Sequence, residues 1–451
     1  MPPYSILRSP CSFLLTPCSY ICYTIAMPLE QTFAYLVQNF QINLLPQSIQ
    51  IAIALAPIML MWLLAVIFWD LWVDYVRSSH FLEVKYTVLE LKLPKDTFKS
   101  PLAMESVLNS IHNTSDGSKY SQYWKGETRP WYSLEIASIE GQVKFFVWTE
   151  DQRKAGLMSA LYSQYPGIEI VEREDYTRSV YFDPKVIRIS AGEFKFTKPD
   201  AYPIKTYVDY GLDKDPKEEF KIDPLLPLIE WLGSVGPNQE VWFQFLIRAH
   251  IKEQHKPGTL FTKHDAWIDG AQKEIDKILL IKDRKTKIAG EVNPETGYAK
   301  IPTISKPEQD LVEAIGRSVS KLPFDVGIRA LYIAKKEIFN TPFGIGGIIG
   351  NMKQFNAENL NGFKPNGDKW HNRLGDPWLD YKNYRRNRYG RLALMAFKRR
   401  SYFYAPFTSK PLVLNTEELA TIYHFPGSVS QTPSLDRIPS KKGQAPGNLP
   451  V

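Results

Sequence analysis

The sequence predicts an α+β protein: one transmembrane helix, then a ferredoxin-like (β-α-β-β-α-β) sandwich, then a second, interrupted α/β module. Three observations carry this. Nineteen residues from Ile51 to Trp69 hold no charge, strand-like and helix-like periods alternate from residue 84 to about 178, and the alternation returns more weakly up to about 360. The 451 residues and 44% hydrophobic content allow two or three domains with their own cores. The three cysteines are Cys11, Cys18 and Cys22, so the later chain folds without disulfides or thiolate metal sites, which suits a reducing compartment.

Residues 1–47 read as an N-terminal extension. The stretch CSFLLTPCSYICYTIA behind Arg8 competes as a signal region or second weak span, but its proline and small polar residues weaken that reading. Met27 offers an alternative start ahead of the polar amphipathic run LEQTFAYLVQNF.

A membrane helix is expected over 48–73. Its run IAIALAPIMLMWLLAVIFW reaches roughly 28 Å at 1.5 Å per residue, close to one hydrocarbon thickness. Lipid offers backbone amides no partners, so the run must be helical there, with Pro57 as a kink. Trp62, Trp69 and Trp72 gather toward one end as interfacial anchors do. The competing reading is a buried core helix, but soluble helices rarely run this long without a polar residue. No Lys or Arg lies between Arg8 and Arg77, whereas Arg77, Lys85, Lys92, Lys95 and Lys99 crowd the downstream flank. The positive-inside rule therefore points to a single-pass protein of the cytoplasmic membrane, its N-terminus outside and its body in the cytoplasm, with the lipid bilayer as first partner.

The first soluble module is expected over 80–178. VKYTVLELKL (84–93) alternates as a strand, and Ser100-Pro101 begins a helix with Leu102, Val107, Leu108 and Ile111 on one face. WYSLEIASI and QVKFFVWT form a hairpin across Glu140-Gly141. A helix from Asp151 to about Tyr165 and the strand GIEIVERED complete the ferredoxin-like set, with both helices on one face of a four-stranded antiparallel sheet.

The second module is expected over 179–360. VIRISAGEFKF and IKTYVDYGL read as a strand-rich bridge, DPLLPLIEWLG as a helix and EVWFQFLIRAHI as a strand. An insertion at 255–305 interrupts it around one polar helix, Trp267 to Leu280. The helix PEQDLVEAIGRSVSK and the strand DVGIRALYIAKK then resume the pattern of a distant duplication. Residues 361–430 form a basic, aromatic-rich segment with one helix at Tyr389 to Arg399, and 431–451 read as a disordered tail.

Catalytic chemistry finds no candidate, so a non-enzymatic protein without cofactor is expected. The glycine cluster Gly344 to Gly350 lacks the Lys-Ser/Thr of a phosphate-binding loop, and the preceding Asn340-Thr341-Pro342 favours a tightly packed helix. His250, His255 and His264-Asp265 are spaced for a strand end and a loop, and read as surface histidines rather than metal ligands. Asp209, Asp213 and Asp215 lack the glycine and glutamate of a calcium loop.

One positive signal remains. Residues 369–410 carry eleven Lys/Arg against two Asp, a local +9, while the whole chain is +7. Lys382, Arg385, Arg386, Arg388, Arg391, Lys398, Arg399 and Arg400 have no acid between them and are interleaved with Tyr381, Tyr384, Tyr389, Phe397, Tyr402 and Phe403. That composition suits phosphate contacts with base stacking, anionic lipid headgroups, or the acids of a protein partner.

Five stretches carry a resemblance: FWDLWVDYVR (68–77), KSPLAMESVLNSIH (99–112), RPWYSLEIASIEGQVKFFVW (129–148), LYSQYPGIEIVEREDY (161–176) and VLNTEELATIYHFPG (413–427). They resemble the amino-terminal membrane and α/β region of HerA-like and type IV secretion, or conjugative-transfer, ATPases as found in candidate-phyla bacteria. The P-loop motor domain of those proteins has no counterpart in this sequence, so ATP hydrolysis is not carried over. The resemblance implies a membrane-anchored scaffold of a DNA- or protein-translocation apparatus. Its partners would be a separate motor ATPase, other secretion components and further copies of the chain. The rival expectation is a stand-alone, membrane-tethered nucleic-acid-binding protein using the 382–400 patch.

Overall fold

The computed structural model describes residues 47–94, 99–115, 117–213, 223–251, 254–255, 263–289, 305–367, 378, 380–426 and 437–438. The expectations for residues 1–46, Asp215, residues 256–262 and 290–304 of the insertion and nearly all of the tail lie outside them. The chain divides into two units, one ending at Tyr75 and the other beginning at Val76.

In the first unit, helix α1 (Gln47–Glu83) begins. Residues 55–69 are uncharged and exposed at every position. One helix, counted from Leu55 to Glu83, is long and apolar enough to cross a membrane by length and composition, and only 6% of its apolar window is buried. A helix apolar all round has no stripe to lay against a protein core.

The second unit is a mixed α/β body on an antiparallel sheet. Its strands are β1 (Tyr86–Pro94), β2 (Trp131–Ile139), β3 (Gln142–Glu150), β4 (Glu169–Arg173), β5 (Ile187–Phe196), β6 (Gln239–Ala249), β9 (Pro323–Lys335), β10 (Phe363–Pro365), β11 (Leu412–Asn415) and β12 (Arg437–Ile438). The order runs β10-β5-β9-β6-β2-β3-β1. Strand β1 continues to β4 and, at its last two residues, to β12, while β11 extends the β9 edge beyond β5. A separate two-residue hairpin, β7 (Gln254–His255) with β8 (Lys263–His264), lies in the insertion.

Local chemistry explains the elements. Glu140 and Gly141 both have positive φ, the backbone of a two-residue hairpin, and a Cβ on Gly141 would meet the Val235 carbonyl at 2.8 Å. Helix α2 (Leu102–Ile111) starts where expected, although the Ser100 hydroxyl donates mainly across the fold to the Leu212 carbonyl, 2.7 Å away. Helix α3 is Asp151–Gln164, α4 is Leu226–Gly233 and α5 is Ala266–Ala289, ten residues longer than its pattern. Helix α6 (Lys306–Ser320) opens with a capping box between Ser305 and Glu308. The glycine cluster builds one π-helical turn and α7 (Gly347–Met352). A Cβ on Gly344 would meet the Tyr332 ring at 2.0 Å and one on Gly347 the Trp231 ring at 2.2 Å, so close packing accounts for these glycines.

Two expectations are corrected. The stretch IKTYVDYGL is a chain of turns, because Asp209 accepts from the Thr206 amide at 2.8 Å and Gly211 adopts positive φ. Residues 412–425 belong to the core. After β11, helix α9 (Thr416–Ile422) is capped by a box between Asn415 and Glu418, and Leu414, Leu419, Ala420, Ile422 and Tyr423 are fully buried. The remaining helix, α8, spans Tyr384–Lys398 and starts five residues before its expected position.

The two expected modules share one sheet. Strands β2 and β6 pair over nine registered positions, from Trp131↔Arg248 to Ile139↔Glu240, so residue 178 marks no gap between cores. Helices α2, α3, α4, α7 and α9 cover one face, burying residues such as Leu108, Leu161, Ile229, Ile348 and Ile422 against Ile136, Phe243 and Ile328. Each such side chain contributes about 1.5–3 kcal/mol. Helix α8, residues 399–406 and Phe81 cover the other face, against Trp131, Trp148, Trp242 and Leu331.

Candidate functional site

On the face beneath α8, a polar row crosses four apolar strands. Successive residues of a strand point to opposite faces, so Ser133, Glu135 and Ala137 share the face opposite Leu134 and Ile136. Register aligns Glu135 with Gln244, Gln244 with Arg329, and Arg329 with Glu193. The Gln244 amide donates to Glu135 at 3.0 Å and accepts from Arg329 at 3.2 Å, and Arg329 donates to Glu193 at 3.1 Å.

Arg400 closes the row from above. Its side chain is 1% exposed; Nε and Nη2 donate to the two Glu135 oxygens at 3.0 and 3.2 Å, and both terminal nitrogens reach Asp175. Glu135 also accepts from Ser133 at 2.7 Å and Tyr176 at 2.9 Å. Burial alone would weaken the Arg400 charge, but Glu135 and Asp175 outweigh it and push its pKa further up. Burial likewise raises Asp175, yet the Arg400 bonds and the Thr177 donors carry its pKa below the usual range. The arrangement is a desolvated, fully bonded cluster: it locks the end of α8 to β2 and to the turn at Asp175.

The eight residues of the predicted patch therefore part company. Arg400 is in the core, a correction to its expected surface contact, because Glu135 and Asp175 demand a buried cation. Lys398 is half-buried and donates to the Val180 carbonyl at 2.6 Å; burial lowers its pKa, against the charge of Asp175. Arg386 is half-buried and donates to Asn383 at 3.0 Å. Lys382, Arg385, Arg388, Arg391 and Arg399 are exposed. Asp380 sets the start of α8 by accepting from the amides of Arg385 and Arg386 at 2.7 and 2.9 Å.

Beside Arg400 opens a cleft of about 850 Å³. Tyr86 stacks on Trp148 at 4.4 Å, and Trp131 lies 5.6 Å from Trp148 and 5.8 Å from Tyr404. Phe81 packs edge-on against Trp131 at 5.3 Å. Trp131 donates its indole N–H to the Arg400 carbonyl at 3.2 Å, so this aromatic wall and the buried cluster form one structure.

Elsewhere, His250 is buried rather than on the surface as expected. Its Nδ1 lies 2.5 Å from Asp325, which also binds Arg248 at 2.7 Å. Among the described residues no group of three or more His, Cys, Asp or Glu side chains is placed to hold a metal ion. On the opposite face Lys321 bridges Glu105 at 2.7 Å and Glu417 at 2.8 Å, tying α9 to α2. Glu418 is wholly buried, which pushes its carboxyl up to about 8 despite the amides of Asn415 and Ile204 that it accepts.

Sequence reading missed Glu135, Asp175, Glu193, Gln244 and Arg329. A signal was present: each of Glu135, Gln244 and Arg329 interrupts an apolar strand, and a lone polar residue there requires a buried partner.

These features define a mixed α/β body with a buried charge cluster, preceded by a helix of membrane-spanning length. Residues 80–437 match the model of the family described as Domain of unknown function (DUF8128), and the chain belongs to that family. The match runs across nearly the whole sheet. No curated protein matches the chain.

Proposed function

We propose that the protein is a non-enzymatic, membrane-anchored scaffold of a translocation apparatus related to type IV secretion, working with a separate motor ATPase. The observation that carries the membrane anchor is the exposure of residues 55–69 of α1, among them Trp62, Phe68 and Trp69. Leaving these dozen large apolar side chains in water would cost on the order of 20 kcal/mol, and a bilayer removes that cost. The cationic flank from Arg77 to Lys99 supports a single pass with the N-terminus outside and the body in the cytoplasm.

Two further points support the scaffold. The strand order β4-β1-β3-β2 with α2 and α3 on one face agrees with a ferredoxin-like module, whereas in the expected second copy β9 lies between β5 and β6 rather than at the edge that β4 takes in the first. The polar row of Glu135, Gln244, Arg329, Glu193 and Arg400 is bonded within itself, which suits a rigid platform for assembly with a motor or with further copies. Affinity purification from detergent-solubilised membranes tests the reading. It expects a P-loop ATPase or another secretion component in the eluate; repeated recovery of the chain without either overturns it.

A second reading is favoured by the exposure of Lys382, Arg388, Arg391 and Arg399 beside Tyr381 and Tyr384. There the chain binds single-stranded nucleic acid through α8. Affinity would then fall steeply between 50 and 200 mM salt, by about tenfold or more for four phosphate contacts, and a flat profile removes this reading.

A further inference from the structure

The wall of the 850 Å³ cleft is charged in a way that its internal pairs do not exhaust. Arg400 pairs with Asp175, Arg173 with Glu90 at 2.8 Å, and Glu172 with Lys154 at 2.5 Å. Arg178 and Arg399 have no ion-pair partner among the described residues, and Lys398 gives its described hydrogen bond to a backbone carbonyl. Glu174 is the single acid left against those three cations among the described residues. The cleft is thus set up for an anion.

The rest of the lining is amphipathic. The half-buried rings of Tyr86 and Tyr404 front the packed Trp131 and Trp148, and Leu82, 89% exposed, stands at the margin. Such rings favour the boundary between water and hydrocarbon, where one part of the ring is wet and the rest apolar. A cleft of this volume lies within the ordinary range of small-ligand sites. The cleft's first lining residue, Ser78, follows Trp69 by nine residues, which tethers it within about 30 Å of the end of the apolar run even were the chain fully extended.

We propose that this cleft binds the phosphate headgroup of an anionic phospholipid, with Arg178, Lys398 and Arg399 on the phosphate and the half-buried rings of Tyr86 and Tyr404 beneath the glycerol and first acyl carbons. The proposal rests on the membrane anchor proposed above. Nucleic acid suits the cleft less well. Trp131 and Trp148 are each only 6% exposed and already packed on other rings, which leaves no open face for a base, and the exposed Tyr381 and Tyr384 do not line it. For Lys398, a phosphate oxygen would replace the solvation that its half-buried position removes.

Native mass spectrometry of the full chain in mild detergent tests this, with phosphatidylglycerol and phosphatidylcholine of equal chain length added in parallel. The expected result is one phosphatidylglycerol retained per chain in preference to phosphatidylcholine. Replacing both exposed cations, Arg178→Gln with Arg399→Gln, should weaken that retention roughly ten- to thirty-fold, at about 1 kcal/mol for each lost charge. Arg388→Gln with Arg391→Gln, on α8 outside the cleft, should leave it unchanged. Equal retention of both lipids, or undiminished retention by the first variant, overturns the proposal. So does inorganic phosphate that binds with no advantage for the lipid, which makes the site one for free phosphate, or an oligonucleotide that displaces the lipid. If the chain stays with membranes yet shows no lipid preference, only this proposal fails; if it leaves the membrane fraction altogether, the anchor fails with it.

Discussion

Arg400→Met should destabilise the body by about 3 kcal/mol, at the low end of the 3–5 kcal/mol expected when one member of a buried ion pair is removed. The structure sets that value. Met keeps most of the volume but supplies no donor, so Glu135, wholly buried, loses two of its bonds while those from Ser133, Tyr176 and Gln244 remain. Asp175 is 17% exposed and keeps its bonds from Thr177, so water can recover part of its solvation. Adding Glu135→Gln to Arg400→Met removes the orphaned charge, and the double variant should recover more than half of the loss. The assay is urea unfolding of the full chain in detergent, followed by tryptophan fluorescence, since Trp131 bonds directly to the Arg400 carbonyl. A single variant costing under 1 kcal/mol, or a double variant whose cost equals the sum of its parts, would refute the claim that Arg400 holds a desolvated cluster.

Three further outcomes follow from particular sites. Gly347→Ala should cost about 1–3 kcal/mol, because its Cβ would meet the Trp231 ring at 2.2 Å, whereas Gly350→Ala, with nothing within 4 Å, should be neutral or stabilising; thermal melting reads both. Glu418 has its native carboxyl raised, so between roughly 4.5 and 8 the folded state holds more protons than the unfolded one. Stability from this group is full below that window and is lost as pH rises through it, and Glu418→Gln should flatten the urea midpoint across it. Asp325 behaves oppositely: burial raises its pKa, but the His250 bond and Arg248 charge more than reverse this. Its contribution is present above about 4 and lost as pH falls below, so Asp325→Asn should show a shallower loss of stability between pH 5 and 3.

Much of the fold was legible because its periods are strong. The strands WYSLEIASI and QVKFFVWT and the turn between them stand where alternation and Glu140-Gly141 put them, and the edges of α2, α3 and β9 shift by only a residue or two. What could not be read was pairing at a distance. Nothing in the local pattern says that β2 meets β6, or that Arg400 meets Glu135 across 265 residues. A run of arginines looks uniform in sequence, yet one turn of backbone past the end of α8 carries Arg400 inward while Arg399 stays in water. The failure at IKTYVDYGL has a local cause, since β-type residues there are overridden by Asp209 and Gly211. Residues 412–425 were missed although Asn415 and Glu418 are the capping pair that announces a helix.

The membrane anchor underlies the proposed function and the lipid site alike, and alkaline carbonate extraction of cell membranes tests it most directly. The full chain should remain in the membrane pellet. Leu60→Arg with Leu64→Arg, which adds about 5–7 kcal/mol to the cost of insertion, should move it to the supernatant. Release of the unmodified chain by carbonate, or retention of the doubly charged variant to the same extent, would contradict the anchor.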